Sequence, residues 1–92
     1  MKLSGEKQWV VYLLRCSDNS LYTGITNDLA KRLATHNAGT GARYTRGRRP
    51  VEVIFWEKAA DKSDACRREY WIKKLSREEK LLLAEAFVNN RL

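Results

Sequence analysis

Histidine occurs once in this 92-residue sequence and cysteine twice, and Asp and Glu are missing altogether from Leu29 to Val51. Each shortage excludes something. Cys16 and Cys66 are too few for a disulfide framework and lack metal-ligand spacing, so a reduced, cytoplasmic setting is expected. The longest apolar run, Trp9–Leu14, is six residues, too short for a membrane span or the core of a secretion signal. No membrane partner is expected. The length leaves room for one domain, expected over 1–92 with a core of about 9–89, and excludes a complete dinucleotide-binding fold or a TIM barrel. What is present argues for folding: 43% hydrophobic residues, with three Trp, four Tyr and two Phe, do not make a disordered basic tail.

The stretch without acidic residues holds Lys31, Arg32, Arg43, Arg46, Arg48 and Arg49, six of the seven net positive charges. The remainder of the chain is nearly balanced, with 12 basic and 11 acidic side chains. So local an excess reads as a surface for a polyanion, above all nucleic acid, or as a solubilising loop.

Trp9–Cys16 is apolar at both parities, as in a strand buried on both faces of a sheet. Ser17-Asp18-Asn19-Ser20 is turn chemistry, and Leu21–Thr26 is a second β-rich run, close enough to form an antiparallel hairpin with the first. Thr26 or Asn27 offers an N-cap for a helix with Asp28 in its first turn, Leu29, Ala30, Leu33 and Ala34 at helical spacing, and Gly39 as its stop. Gly39–Pro50 reads as a glycine- and arginine-rich loop. A third strand follows over Val51–Lys58, with Val51, Val53 and Phe55 alternating against Glu52, Ile54 and Trp56. Asp61–Ser63 opens a second helix that runs to about Lys74. The capping box Ser76-Arg77-Glu78-Glu79 starts a third over about Arg77–Asn89, with Leu82, Leu83, Ala86 and Phe87 as its buried stripe. Met1–Gln8 is polar and expected to fray. The order ββαβαα predicts an α+β fold, a small three-stranded antiparallel sheet flanked by three helices.

Several side chains could carry chemistry. Tyr12 and Tyr22 fall on neighbouring strands, and Gly24 lies inside a strand, where a missing side chain marks a bulge or a close approach. Ordinary strand packing also accounts for the tyrosines. Arg32 and His36 are four residues apart on one helix, so they either hold a phosphate together or face solvent on an amphipathic helix. Glu69 lies at the margin of an apolar helix face. It either supplies one or two oxygen ligands to Mg²⁺ or forms a surface pair with Lys73 worth ~0.3–0.5 kcal/mol. In the loop, arginine forks suit phosphates and Tyr44 suits a base.

Together these residues resemble the GIY-YIG nuclease superfamily. Val10-Val11-Tyr12 stands where its first signature triplet belongs and Tyr22-Thr23-Gly24 where the second does. Lys31-Arg32 and His36 follow in order, and Glu69 stands at the family's metal-binding glutamate. The resemblance covers about Trp9–Leu83. The run Ala42-Arg43-Tyr44-Thr45-Arg46 is similar to the small stand-alone bacterial, YhbQ-like branch. Two positions depart from the pattern: Val10 replaces a glycine, and Leu81 stands where many members carry asparagine.

The resemblance implies an endonuclease that hydrolyses phosphodiester bonds in DNA, in repair or recombination, with Mg²⁺ or Mn²⁺ as cofactor. Glu69 would be the metal ligand, and Tyr12, Tyr22, Arg32 and His36 the other catalytic residues, with Tyr12 as base and Tyr22 as its partner. Lys31, Arg43, Tyr44, Arg46, Arg48, Arg49 and Lys73 would bind the nucleic acid. The alternative is a nucleic-acid-binding module with the same fold and no turnover. A monomer is expected.

Overall fold

The computed structural model describes residues 8–91; positions 1–7 of the expected polar stretch lie outside the described residues. Gln8 is not frayed, since its amide donates to the Ala59 carbonyl at 2.7 Å. The elements are β1 (Val10–Arg15), β2 (Leu21–Thr26), α1 (Leu29–Asn37), α2 (Arg43–Arg46), β3 (Glu52–Lys58), α3 (Lys62–Lys73) and α4 (Arg77–Arg91). The sheet has the antiparallel order β2-β1-β3, so the most apolar strand is central. Val10 through Leu14 are all buried.

Residues on β1 alternate between two cores. Val10, Tyr12, Leu14, Cys16 and Val51 make one, against which Leu29 and Leu33 of α1 pack. Val11, Leu13 and Phe55 make the other, with Ile72 of α3 and Ala84 of α4. The sheet is therefore covered on both sides, as its unbroken apolar run requires.

The helix starts follow local chemistry. Asp28, rather than Thr26 or Asn27, caps α1 by accepting from the Lys31 amide at 3.3 Å. Asp61 caps α3 through the Asp64 amide at 2.8 Å. Ser76 and Glu79 cap each other reciprocally at α4 (2.8 and 3.1 Å). Gly39 ends α1 with φ of 86°, and the Thr40 amide reaches back to Thr35 O at 3.2 Å.

Three further expectations fail. The pairing of β1 with β3 shifts between Leu13 and Leu14, so Leu13 faces Phe55 but Leu14 faces Val53. Ile54 is the extra residue of this bulge, and strict alternation breaks there. Ile54 and Phe55 thus both join the second core, while Val53 stays with the first. On α4, Leu83, Ala84 and Phe87 face the sheet, whereas Leu82 and Ala86 are exposed. Leu82/Ala86 and Leu83/Phe87 have the same helical spacing, so periodicity could not choose between them. Finally, the arginine-rich loop contains a single helical turn, α2, and a cis Arg49–Pro50 bond.

Candidate active site

The first core is not purely apolar. Tyr12 is 1% exposed and His36 and Thr45 are fully buried, three polar side chains from three different elements. The Tyr12 hydroxyl lies 3.1 Å from His36 Nε2, and His36 Nδ1 lies 2.8 Å from Thr45 Oγ1. Thr45 has one hydroxyl proton, and it goes to the Ala42 carbonyl at 2.9 Å. With the hydroxyl proton on the Ala42 carbonyl, Nδ1 donates to Thr45 and Nε2 accepts the Tyr12 proton. The direction of the chain is set by α2: one turn, Ala42 to Thr45, fixes the tautomer of a histidine on α1.

Two glycines make room for this arrangement. Gly24 pairs with Tyr12 across β1 and β2, and a Cβ there would lie 2.5 Å from Tyr12 Oη and 2.7 Å from its Cζ. A Cβ on Gly41 would lie 2.6 Å from His36 Nδ1 and 2.8 Å from its Cα. The interior glycine of β2 thus marks the phenol that crosses it.

Arg32, partly exposed on α1, and Glu69 on α3 complete the set. Burial raises the Tyr12 pKa; the nearby Arg32 guanidinium opposes this, while Tyr22 and the Glu69 carboxylate add to it. His36 is lowered, first by burial and then by the Arg32 charge. Both shifts favour a neutral resting pair. Of the two readings of Arg32 and His36, the solvent-facing one does not hold for His36, because Leu29, Leu33 and His36 share the buried face of α1.

Tyr22 borders the pair, with ring centroids 5.4 Å from His36 and 6.4 Å from Tyr12. It stacks on Tyr44 at 5.9 Å, and the Arg48 guanidinium lies 4.1 Å from the Tyr44 ring centroid. Arg48 also pairs with Asp18 at 3.0 Å and donates to the Tyr44 carbonyl. Arg49 donates to the carbonyls of Arg46 and Asn37. Two of the four loop arginines are thus engaged in holding the loop. Lys31, Arg43 and Arg46 are exposed cations on the two helices that carry His36 and Thr45.

Glu69 is partly buried, its side chain 23% exposed, and pairs with Lys73 at 3.4 Å. The next residue, Arg68, clamps α3 to β3 through both oxygens of Glu57 (2.6 and 3.0 Å), which holds the helix that carries Glu69. Among the described residues no three His, Cys, Asp or Glu side chains gather as a metal cluster. A lone carboxylate does not fit resident zinc. It does fit Mg²⁺ or Mn²⁺, which keep several waters and take one or two carboxylates together with substrate phosphate oxygens.

Thr45, Asn37 and the Arg68–Glu57 clamp were not assigned roles from sequence. Asn37 bridges the end of α1 to the residue just before β3, donating to Val51 O at 3.1 Å and accepting from Val51 N at 2.8 Å. A short hydroxyl residue downstream of the lone histidine was the one available signal, and only for Thr45.

Residues 8–81 match the family model described as the GIY-YIG catalytic domain. The chain is 55% identical over 75 residues to a UPF0213 protein of Staphylococcus haemolyticus, covering 82% of this chain and 92% of that one. It is similar to two structures solved by NMR in solution. The UPF0213 protein BH0048 from Bacillus halodurans is 42% identical, with TM-score 0.55 over 86% of this chain and 84% of that one. The protein EF2693 from E. faecalis is 39% identical, with TM-score 0.61 over 92% and 91%. Family model, relatives and fold agree: the chain belongs to the GIY-YIG family and is similar to its UPF0213 members.

Proposed function

We propose that this protein is a divalent-metal-dependent endonuclease that hydrolyses phosphodiester bonds in DNA, acting in repair or recombination. One observation carries the reading: a buried, directional hydrogen-bond chain from Tyr12 through His36 to Thr45 that comes under the charges of Arg32 and Glu69. A purely structural cluster would have no need of a carboxylate and a guanidinium acting on one phenol. Perturbed titratable groups converging in this way are typical of sites that move protons.

The residues then have distinct parts. Water attacks phosphorus and gives its proton to Tyr12 Oη, as the Tyr12 proton passes to His36 Nε2. Coupling the two transfers avoids a free phenolate, which burial disfavours. Thr45 keeps Nδ1–H occupied, so His36 can accept only on the Tyr12 side. Arg32 stabilises the negative charge that grows on the phosphorane oxygens. When the bond breaks, the 3′ oxygen leaves with the bonding pair and takes a proton from solvent, and His36 later returns its proton through Tyr12. Glu69 would hold Mg²⁺ or Mn²⁺, which supplies Lewis-acid neutralisation at the phosphate. Tyr22 packs against both ends of the Tyr12–His36 bond and keeps bulk water from it. Lys31, Arg43 and Arg46 would hold the flanking phosphates.

The test incubates the protein with single-stranded, nicked and branched DNA in Mg²⁺, Mn²⁺ or EDTA, beside Glu69→Gln. Metal-dependent incision that the variant lacks is the expected result. Cleavage surviving in the variant would remove Glu69 from the site, and binding without cleavage in either metal would overturn the nuclease reading.

A further inference from the structure

Besides Tyr44 of α2, which stacks on Tyr22, two helices carry large apolar side chains in the open. On α4 these are Leu82 and Val88; on α3 they are Tyr70 and Trp71, 59% and 61% exposed. Their surroundings differ in charge. Leu82 lies in a groove that Glu78 and Glu85 also line, a rim that repels a polyanion. On α3, Arg67, Tyr70, Trp71 and Lys74 follow the i, i+3, i+4, i+7 pattern and so share one face. Lys74 Nζ sits 4.3 Å from the Tyr70 ring centroid, and the Tyr70 and Trp71 rings meet edge-on at 6.4 Å.

This face adjoins the candidate site. At about 100° per residue, Lys73 lies between Glu69 and Tyr70 around the helix. A surface therefore runs from the carboxylate over Lys73 to Tyr70, Lys74 and Trp71. The other carboxylate on α3, Asp64, is occupied with Arg67 at 3.3 Å and with the Ala60 amide at 2.9 Å. Flat aromatic rings between cations match one ligand chemistry, a strand of phosphates with unpaired bases, because every base offers a face for stacking. Paired bases in a duplex are stacked on each other and cannot use such rings.

We propose that the outer face of α3 is a docking platform for single-stranded nucleic acid. Bases stack on Tyr70 and Trp71, while Arg67, Lys73 and Lys74 take the adjoining phosphates. The proposal deepens the nuclease reading by naming the part of the substrate that lies beside Glu69, but it is read by binding and does not depend on turnover.

The experiment measures fluorescence anisotropy of labelled 15-mers of dT, of rU and of a 15-base-pair duplex, in EDTA so that no cleavage occurs. Wild type is compared with Trp71→Ala, Trp71→Phe and Leu82→Ala, each checked by circular dichroism. Trp71→Ala is expected to weaken single-strand binding about tenfold, with little effect on the duplex. Trp71→Phe should restore most of the affinity, and Leu82→Ala should leave it unchanged. The dT and rU arms show whether the platform prefers DNA or RNA.

Unchanged single-strand affinity in Trp71→Ala would overturn the platform and leave the aromatics to a protein partner, with the nuclease reading intact. An equal loss on duplex and single strand would also overturn it, by reducing the face to a charge surface. Single-strand binding lost in Trp71→Ala, by a wild type that cleaves nothing in Mg²⁺ or Mn²⁺, would uphold the platform while the nuclease reading fails.

Discussion

The two faces of β1 differ by one residue in sequence and by their whole chemistry. Val11 and Leu13 meet Phe55, Ile72 and Ala84 in an apolar cluster. Tyr12 and Leu14 look the other way, into a core that also encloses His36 and Thr45. Burying three polar side chains is unfavourable unless each is paired. Here each is: among the described residues no buried side-chain nitrogen or oxygen lacks a partner. One face therefore stabilises by area, and the other exchanges some of that for a buried hydrogen-bond chain. The sheet lets one strand do both, because its side chains alternate.

Changes on the two faces should separate stability from activity. Leu13→Ala removes a fully buried side chain from the apolar face. It should lower unfolding free energy by about 2–5 kcal/mol in urea titration, while the cleavage rate per folded molecule stays near wild type. A large rate loss in the folded fraction would show that the faces are not independent. On the other face, Gly24→Ala places a methyl against the Tyr12 phenol. Displacing that phenol should slow cleavage on the order of 10²-fold, with DNA affinity in anisotropy unchanged.

A third difference is in pH. His36 titrates below the usual histidine value when folded, and near 6.5 when unfolded. The unfolded chain thus binds the proton first as pH falls. Stability from this group is full above about pH 6.5 and declines below it, by at most ~1.4 kcal/mol per pH unit. Comparing urea midpoints at pH 7.5 and 5.5, His36→Gln should show a smaller drop than wild type. Identical drops would mean that His36 is not held neutral.

The smallest effect concerns the loop. Arg46→Gln should flatten the slope of log affinity against log salt by about 1. Arg48→Gln should instead loosen Tyr44, seen as faster proteolysis of the loop, because Arg48 already pairs with Asp18 and covers that ring. If both variants changed only the salt slope, the loop would be a uniform charge surface.

Legibility followed the range of the interaction. Asp61, Ser76 and Glu79 act on amides within a few residues, and these helix starts were readable from sequence. The central strand was readable because both of its faces are apolar. The Ile54 bulge was not, since it is a register shift between β1 and β3. Nor was the choice of Leu83 over Leu82, which depends on how α4 lies on β3. In the site, the ordered positions of Tyr12, Tyr22, Arg32, His36 and Glu69 were visible through family resemblance alone. The role of Thr45 was hidden, because its partner His36 sits on another helix nine residues earlier.

The most direct measurement is single-turnover incision of a nicked, branched DNA in Mg²⁺ by wild type and by Tyr12→Phe, at equal DNA occupancy. Phenylalanine keeps the ring and removes only the hydroxyl 3.1 Å from His36 Nε2, the proposed link to the attacking water. The expected result is a rate lower by about 10²–10⁴-fold with unchanged DNA affinity. Incision by Tyr12→Phe at the wild-type rate would contradict the proton path.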